Sequence, residues 1–260
     1  MSEDVVSGLI KDYILRLSSE GKRVDGRQME QIRPITIVKN VINTAEGSAQ
    51  VNLGDTSVLV GVKTEIGEPF PDMPNSGVLT TSVEMIPMAS PTFEPGPPSP
   101  TAIELARVVD RGIRESECID LESLCITPGE KVWILFLDVH VLDYDGNLFD
   151  ACSIASLAAL SCTKIPYSRL DAAKQDEPLV IQSWPVSLTA AKIKDTLFID
   201  PSLEEENIAD ARLTVILDEN GNLRAMQKGI GGSVTLEEIE RLIALNSKYG
   251  EEIRKKIRGA

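Results

Sequence analysis

Three arginines, Arg107, Arg111 and Arg114, fall four and three residues apart in the stretch Glu104–Glu117, ELARVVDRGIRESE. At about 100° per residue a helix would gather them into one narrow stripe, with Leu105, Val108, Val109 and Ile113 on the other side. The apolar side must dock on the protein body, so the arginines face a surface, a cavity or a partner. Arginine offers a flat, permanently charged fork suited to phosphate or carboxylate. Acids are interleaved at matching distances: Glu104 and Asp110 lie three residues from Arg107, Glu115 four past Arg111, and Glu117 three past Arg114. That is also the pattern of an ordinary solvated helix face laced with ion pairs. Spacing alone leaves both readings open.

Other chemistry-bearing residues point to less. His140 is the only histidine and sits in the apolar run Val132–Leu142, as a core or sheet-face histidine would. A Ser-His-Asp or Cys-His nucleophile system would have to use it, and no nearby motif supports one. Cys118, Cys125, Cys152 and Cys162 lack the paired spacing of a zinc site and read as small hydrophobes in a reducing compartment. Asp143–Asn147 fails as a calcium loop, because Leu148 and Ile154 stand where glycine and glutamate are needed, and so reads as a turn. Asp200, Glu204, Glu205 and Asp210 form an acidic stretch open to a metal-site reading or, more commonly, a solvated turn. No phosphate-binding glycine loop or dinucleotide fingerprint occurs, so no cofactor and no metal are expected.

With 260 residues, 42% of them hydrophobic and 25% charged, the chain can bury a substantial core. Its net charge of -14 would repel a nucleic-acid backbone unless positive groups are gathered locally or a partner supplies the field. The N-terminal segment reads as a short charged amphipathic helix without signal-peptide features, and no window reaches the apolar length of a membrane span. A cytoplasmic location without membrane attachment is expected.

The elements that would position the arginines follow from periodicity. Ile35–Ile42, Ala49–Leu53 and Val58–Val62 predict an antiparallel meander with turns at Gly47 and Gly54-Asp55. The proline-rich stretches Gly67–Gly77 and Ala89–Thr101 are loops on either side of a strand over Val78–Met88. The second loop delivers the chain to the arginine helix, with Thr101 as N-cap and Glu104 completing a capping box. Lys131–Leu142 is apolar enough for a central strand, and Asp150–Cys162 predicts a helix of small residues that allows close approach. After a polar linker at Tyr167–Glu177 come strands at Leu179–Trp184, Val186–Ile193, Thr196–Asp200, Ala211–Leu217 and Leu223–Gln227, with a hairpin at Asn220-Gly221. A final helix runs from a second capping box at Thr235 and Glu238 to Arg258. The pattern is α+β in two sheet-plus-helix halves with mixed or antiparallel sheets: residues 1–30 as an N-terminal helix and turn, 31–166 as the first half and 167–260 as the second.

Taken together, RVDGR (23–27), EGSAQVNLGDTSVLVGV (46–62), ASPTFEPGP (89–97), ELARVVDRGIRES (104–116) and DGNLFDACSIASLAAL (145–160) resemble the RNase PH family of phosphorolytic 3′ to 5′ exoribonucleases. Within that family they are most similar to the larger, non-catalytic RNase PH-like subunit of the archaeal exosome. The resemblance spans nearly the whole chain and implies the family fold. It also implies a catalytic RNase PH-like partner, with three such heterodimers in a hexameric ring, RNA-binding cap proteins and single-stranded RNA as substrate. Arg107, Arg111 and Arg114 would then contact RNA phosphates where the two subunits meet, with Lys63 and Arg23 as weaker candidates for the same surface or for subunit contacts. Active members carry a Gly-Thr/Ser-Arg phosphate-binding turn where this chain has Asn147, Leu148 and Phe149, and two aspartates where it has Glu206 and Arg212. These departures imply that the chain itself is not catalytic. The competing reading is an active phosphorolytic nuclease using Glu206 with Asp200 or Asp210, and a third is a pure scaffold whose arginines only make ion pairs.

Overall fold

Helix α1 (Ser2–Ser19) leads into the body of the protein, where its Ile14 packs among Ile193, Phe198 and Ile208. The computed structural model describes Ser2–Ala260, with side chains from Lys11 onward; Met1 of the anticipated N-terminal helix lies outside the described residues. Strands β1 (Ile35–Lys39), β2 (Gly47–Leu53) and β3 (Thr56–Gly67) form the meander that the alternation predicts. Val41 and Ile42 fall outside it, because Asn40 turns the chain at φ 57°. Gly47 is not in the turn but is the first residue of β2.

The next elements are β4 (Val78–Met85), α2 (Pro100–Glu115), the short β5 (Cys125–Thr127) and β6 (Lys131–Asp143). Strand β6 is central, as its apolar run requires: it pairs antiparallel with β3 on one side and parallel with β4 on the other, giving the order β1-β2-β3-β6-β4. Helix α3 (Leu148–Ser161) then begins earlier than Asp150, capped by Asn147. Two-residue strands β7 (Lys164–Ile165) and β8 (Glu177–Pro178) bracket the polar linker. The strand expected at Leu179–Trp184 does not form. That segment leaves β8 with the Leu179 amide donating to the Thr163 carbonyl and the Gln182 amide to the Cys118 carbonyl, makes the isolated bridge Ile119–Ile181, and ends at Pro185, which has no amide donor.

The second sheet, in the order β10-β9-β11-β12, contains β9 (Val186–Ile193), β10 (Thr196–Ile199), β11 (Ala211–Leu217) and β12 (Leu223–Gly229). Between β10 and β11 lies an unanticipated short helix, α4 (Leu203–Ile208), with a capping box from Ser202 and Glu205. Helix α5 (Leu236–Gly259) starts at the expected Thr235–Glu238 box.

Helices α2 and α3 lie between the two sheets, and α5 covers the far face of the second, its Leu242 packing on Leu188, Ala190, Leu213 and Val215. The alanine- and serine-rich α3 is buried almost all round, because it touches β2 and β3 on one side and β9 on the other. That packing explains Gly47: a Cβ there would lie 2.1 Å from Thr163 Oγ1 and 2.7 Å from the Ala159 carbonyl oxygen, at the end of α3.

A buried polar knot ties the halves together. Asp200, in the left-handed region at φ 50°, accepts from the Arg33 amide at 2.8 Å, Arg33 Nε at 2.9 Å and Arg33 Nη2 at 2.8 Å. It also accepts from Arg27 Nη1 at 2.9 Å and Asn147 Nδ2 at 2.7 Å. Burial opposes its charge, but the hydrogen bonds and charge of Arg33, with Asn147 and Arg27, outweigh this and hold the carboxyl below its ordinary pKa. Asp150 at the start of α3 accepts from Asn147 Nδ2 at 2.8 Å and from the Thr189 amide and hydroxyl on β9, each at 2.9 Å. Arg23, expected as a possible surface contact, is instead 3% exposed, paired with Glu205 and donating to the Ile199 and Asp200 carbonyls.

Gly47→Ala should destabilise the protein by about 1–3 kcal/mol through overpacking, read as a lower denaturant midpoint. Asp200→Asn, which keeps a side chain suited to the left-handed backbone, should cost about 3–5 kcal/mol at neutral pH by depriving buried Arg33 of its principal counter-charge and leaving it only Asp145, at 3.4 Å. Because the folded pKa of Asp200 is depressed, its contribution is present above the unfolded value of about 3.9 and lost as pH falls through the folded value. The gap between wild type and variant should therefore shrink in acid, as urea unfolding at pH 7 and pH 3 would measure.

Candidate functional site

Helix α2 is set by Ser99 rather than Thr101. The Ser99 hydroxyl accepts from the Ala102 amide at 3.2 Å, and Pro100 occupies the first helical position, where its missing donor is harmless. Glu104 is thereby released from the expected capping box. Ala102, Leu105, Val108, Val109, Gly112 and Ile113 are buried as the apolar stripe predicts, and a Cβ on Gly112 would lie 2.8 Å from Ile216 Cδ1 of β11. On the opposite face Arg107, Arg111 and Arg114 are all exposed. The helix runs between the edge strand of each sheet, β4 on one side and β12 on the other. A groove of about 700 Å³ lies on the β4 side, lined by Ser82, Glu84, Ile103 and the three arginines. A second, of about 390 Å³, lies towards Gln227 of β12 and shares Arg107 and Arg111.

The ion-pair reading of this face holds at one arginine only. Arg114 donates to Asp110 Oδ2 at 2.6 Å, one helical turn back, and to the carbonyl of Leu79 on the open edge of β4. Arg111 touches only Gln227 Oε1, at 3.4 Å. Arg107 makes no ion pair or side-chain hydrogen bond among the described residues, and neither Glu115 nor Glu117 engages an arginine. Glu104 turns the other way, accepting from Arg212 Nη2 at 2.8 Å and Gln227 Nε2 at 3.1 Å. The stripe thus presents guanidinium groups largely without internal counter-charges.

Beneath it the structure gathers the other candidate positions. Asn147, Leu148 and Phe149 form the start of α3, all buried. The amide of Asn147 donates to Glu206 Oε1 at 3.0 Å, so a carboxylate of the chain itself occupies the place at this helix N-terminus where an outside anion would bind. Tyr144 donates its hydroxyl to Glu206 Oε2 at 2.9 Å and stacks against Phe93 of the proline loop, with ring centroids 5.3 Å apart. Burial pushes the Glu206 carboxyl above its ordinary pKa, against the Tyr144 and Asn147 hydrogen bonds and the Arg212 and Arg33 charges. Arg212 lies 4.0 Å above the Phe149 ring. The Asn147 amide, the Tyr144 hydroxyl and Arg212 Nη2 are thus answered from within, while the buried Arg212 Nε has no hydrogen-bond partner among the described residues.

The remaining acids do not assemble with Glu206. Asp200 is saturated by its five donors, while Asp210 accepts from Lys11 Nζ at 2.9 Å and the Lys194 amide at 2.7 Å. Glu205 pairs with Arg23 and Glu204 is exposed; among the described residues no three His, Cys, Asp or Glu side chains converge as metal ligands. Lys63 is exposed but paired with Glu46 at 3.0 Å. His140 lies opposite Glu84 in the sheet, with its Nδ1 3.3 Å from the carboxylate. Cys118 and Cys152 are buried free thiols, and burial raises that of Cys118 to about 12. Among the described residues no helix is long and apolar enough to cross a membrane. Sequence reasoning passed over Arg33, Tyr144 and Gln227; nothing local marks them, since their partners lie far along the chain.

Comparison with known proteins places this arrangement. Residues 31–166 match the model of the 3′ exoribonuclease family, domain 1 (RNase PH), and residues 183–248 match domain 2 of the same family. The chain is 53% identical to the exosome complex component Rrp42 of Pyrococcus horikoshii, over 97% of this chain and 94% of that one. It is 51% identical to the protein of the same name from Thermococcus kodakarensis, over 99% and 97% of the two chains. Among solved structures, a chain of the Archaeoglobus fulgidus exosome with RNA bound to the active site superposes with a TM-score of 0.93 at 46% identity, covering 97% of this chain and 99% of that one. A chain of an archaeal exosome core gives 0.90 at 42%, covering 99% and 100%. On these matches, and with the two-sheet architecture described above, the chain belongs to the RNase PH family of 3′ exoribonucleases.

Proposed function

We propose that this chain is a non-catalytic subunit of an archaeal exosome, pairing with a catalytic RNase PH-like homologue and holding the RNA 3′ end through Arg107, Arg111 and Arg114. Three such pairs would close a hexameric ring in the cytoplasm, with RNA-binding cap proteins above it. The observation that carries the reading is the contrast between the two layers of the site. The arginine face is exposed and poorly neutralised, whereas the buried pocket behind it is filled by the chain's own groups.

Phosphorolysis needs inorganic phosphate held for attack on the terminal phosphodiester, whose bridging P–O bond breaks to release a nucleoside diphosphate. Here Leu148 and Phe149 offer no side-chain donor to such a phosphate, the Asn147 amide is committed to Glu206, and Arg212 replaces a carboxylate with a positive charge. The arginines, by contrast, can each reach a phosphodiester without reading a base, which suits a complex that accepts any single strand. The net charge of -14 is compatible, since attraction need only be local on α2 and can be reinforced by the partner. The names of the relatives and the RNA-bound complex among the structural neighbours support the same assignment.

Purified alone with RNA and phosphate, the chain should release no nucleoside diphosphate, and mixed with its catalytic homologue it should form a larger complex that does. Sustained release by the chain alone, abolished by Arg111→Ala, would overturn the proposal. In the reconstituted complex, Arg107→Glu with Arg111→Glu should weaken RNA binding and flatten its salt dependence by roughly 0.7 in log–log slope for each phosphate left without its arginine. Unchanged affinity and slope would reduce the stripe to a scaffold.

A further inference from the structure

Arg212 occupies a position where active relatives carry a carboxylate, yet it is not idle. We propose that Arg212 is a positioning residue for the arginine face: it captures the Glu104 carboxylate and so keeps Arg107 and Arg111 available to RNA. The inference rests on the reading of that face as an RNA contact.

Glu104 lies three residues before Arg107, and residues so spaced on a helix are surface neighbours, about 5–6 Å apart at Cβ. Left to itself, that acid would pair with Arg107 and cancel part of the field offered to phosphate. It does not, because Arg212 Nη2 holds Glu104 Oε1 at 2.8 Å. The same oxygen accepts from Gln227 Nε2 at 3.1 Å, which turns Gln227 Oε1 towards Arg111 Nη1 at 3.4 Å. One guanidinium thereby sets a relay that removes an acid from one arginine and offers an acceptor to the next. The Arg212 side chain is only 14% exposed and lies over Phe149, so it acts from beneath the helix rather than by touching a strand laid on α2.

The surroundings of Arg212 are shaped for this. Its cross-strand partner on β12 is Gly229, where a Cβ would come within 2.4 Å of Nη2 and 2.9 Å of Cζ. Gly229 has no left-handed backbone to explain it, so the missing side chain serves the guanidinium. This gives two ways to disturb the relay: removing the charge with Arg212→Gln, or displacing the fork while keeping its charge with Gly229→Ala.

The test uses the complex reconstituted with the catalytic homologue and a labelled single-stranded oligoadenylate, without phosphate so that the RNA stays intact. Assembly and thermal midpoint are followed in parallel. Arg212→Gln and Gly229→Ala should each weaken RNA binding about three- to tenfold. Adding Glu104→Gln to either should restore affinity, because no acid then competes for Arg107; a purely structural role for Arg212 would not be rescued by deleting its partner. Unchanged affinity in both single variants, or a loss that Glu104→Gln fails to restore, would overturn the inference. Weakening by Arg107→Glu with Arg111→Glu while Arg212→Gln is inert would sink this inference alone, whereas an inert double reversal would sink the RNA-face reading itself.

Discussion

The carboxylate of Asp200 is the point on which the two halves of the molecule are joined. It stands where β10 ends, yet its five donors come from the turn before β1 and from the cap of α3. A buried charge survives only when paired and hydrogen-bonded, so Arg33 and Arg27 must stay where they are, and Arg33 in turn holds the Asp145 and Gly146 carbonyls at 2.7 and 3.2 Å. Through Asn147 the same knot fixes the start of α3, and through Asp150 it fixes β9. The arginine helix α2 rests on the platform so formed.

The platform and the helix lying on it meet two opposed requirements. Anion binding needs donors that are unpaired in the free protein, whereas a stable interior needs every donor satisfied. In this chain the interior has taken over the pocket: the Asn147 amide and Tyr144 hydroxyl serve Glu206, and Arg212 serves Glu104. The charges of Arg107 and Arg111 lie on the outside of α2, where water can solvate them at little cost. On the proposed assignment, binding and bond-breaking belong to different subunits.

What could be read from the residues divides along physical lines. Strands β2, β3, β6, β9 and β11 were legible because each has a buried face that enforces alternation or an apolar run. The segment at Leu179–Trp184 has similar composition, but it makes a single bridge, to Ile119, and stops at Pro185 instead of joining a ladder. The cap of α2 was misplaced although Pro100 marks Ser99 as the N-cap, since proline is favoured one residue inside a helix. Helix α4 went unseen despite the capping box of Ser202 and Glu205. The exposed stripe of arginines followed from helical periodicity, whereas Asn147, Leu148, Phe149, Glu206 and Arg212 were singled out by resemblance to the family alone. The partners of Arg33, Tyr144 and Arg212 could not be inferred, because pairings across 167, 62 and 108 residues leave no local pattern.

The way Glu206 and Arg212 are embedded makes the positions around them interdependent. A carboxylate at position 212 would strip Glu104 of its arginine partner and bring a second acid close to Glu206. An anion at the start of α3 would have to displace Glu206 from the Asn147 amide, and replacing Phe149 would remove the ring over which the Arg212 guanidinium lies. Substitution at any of these positions thus disturbs a partner on another element as well as the residue replaced. The internal pairs therefore couple these positions, so that a change at one alters the energetic consequence of a change at another.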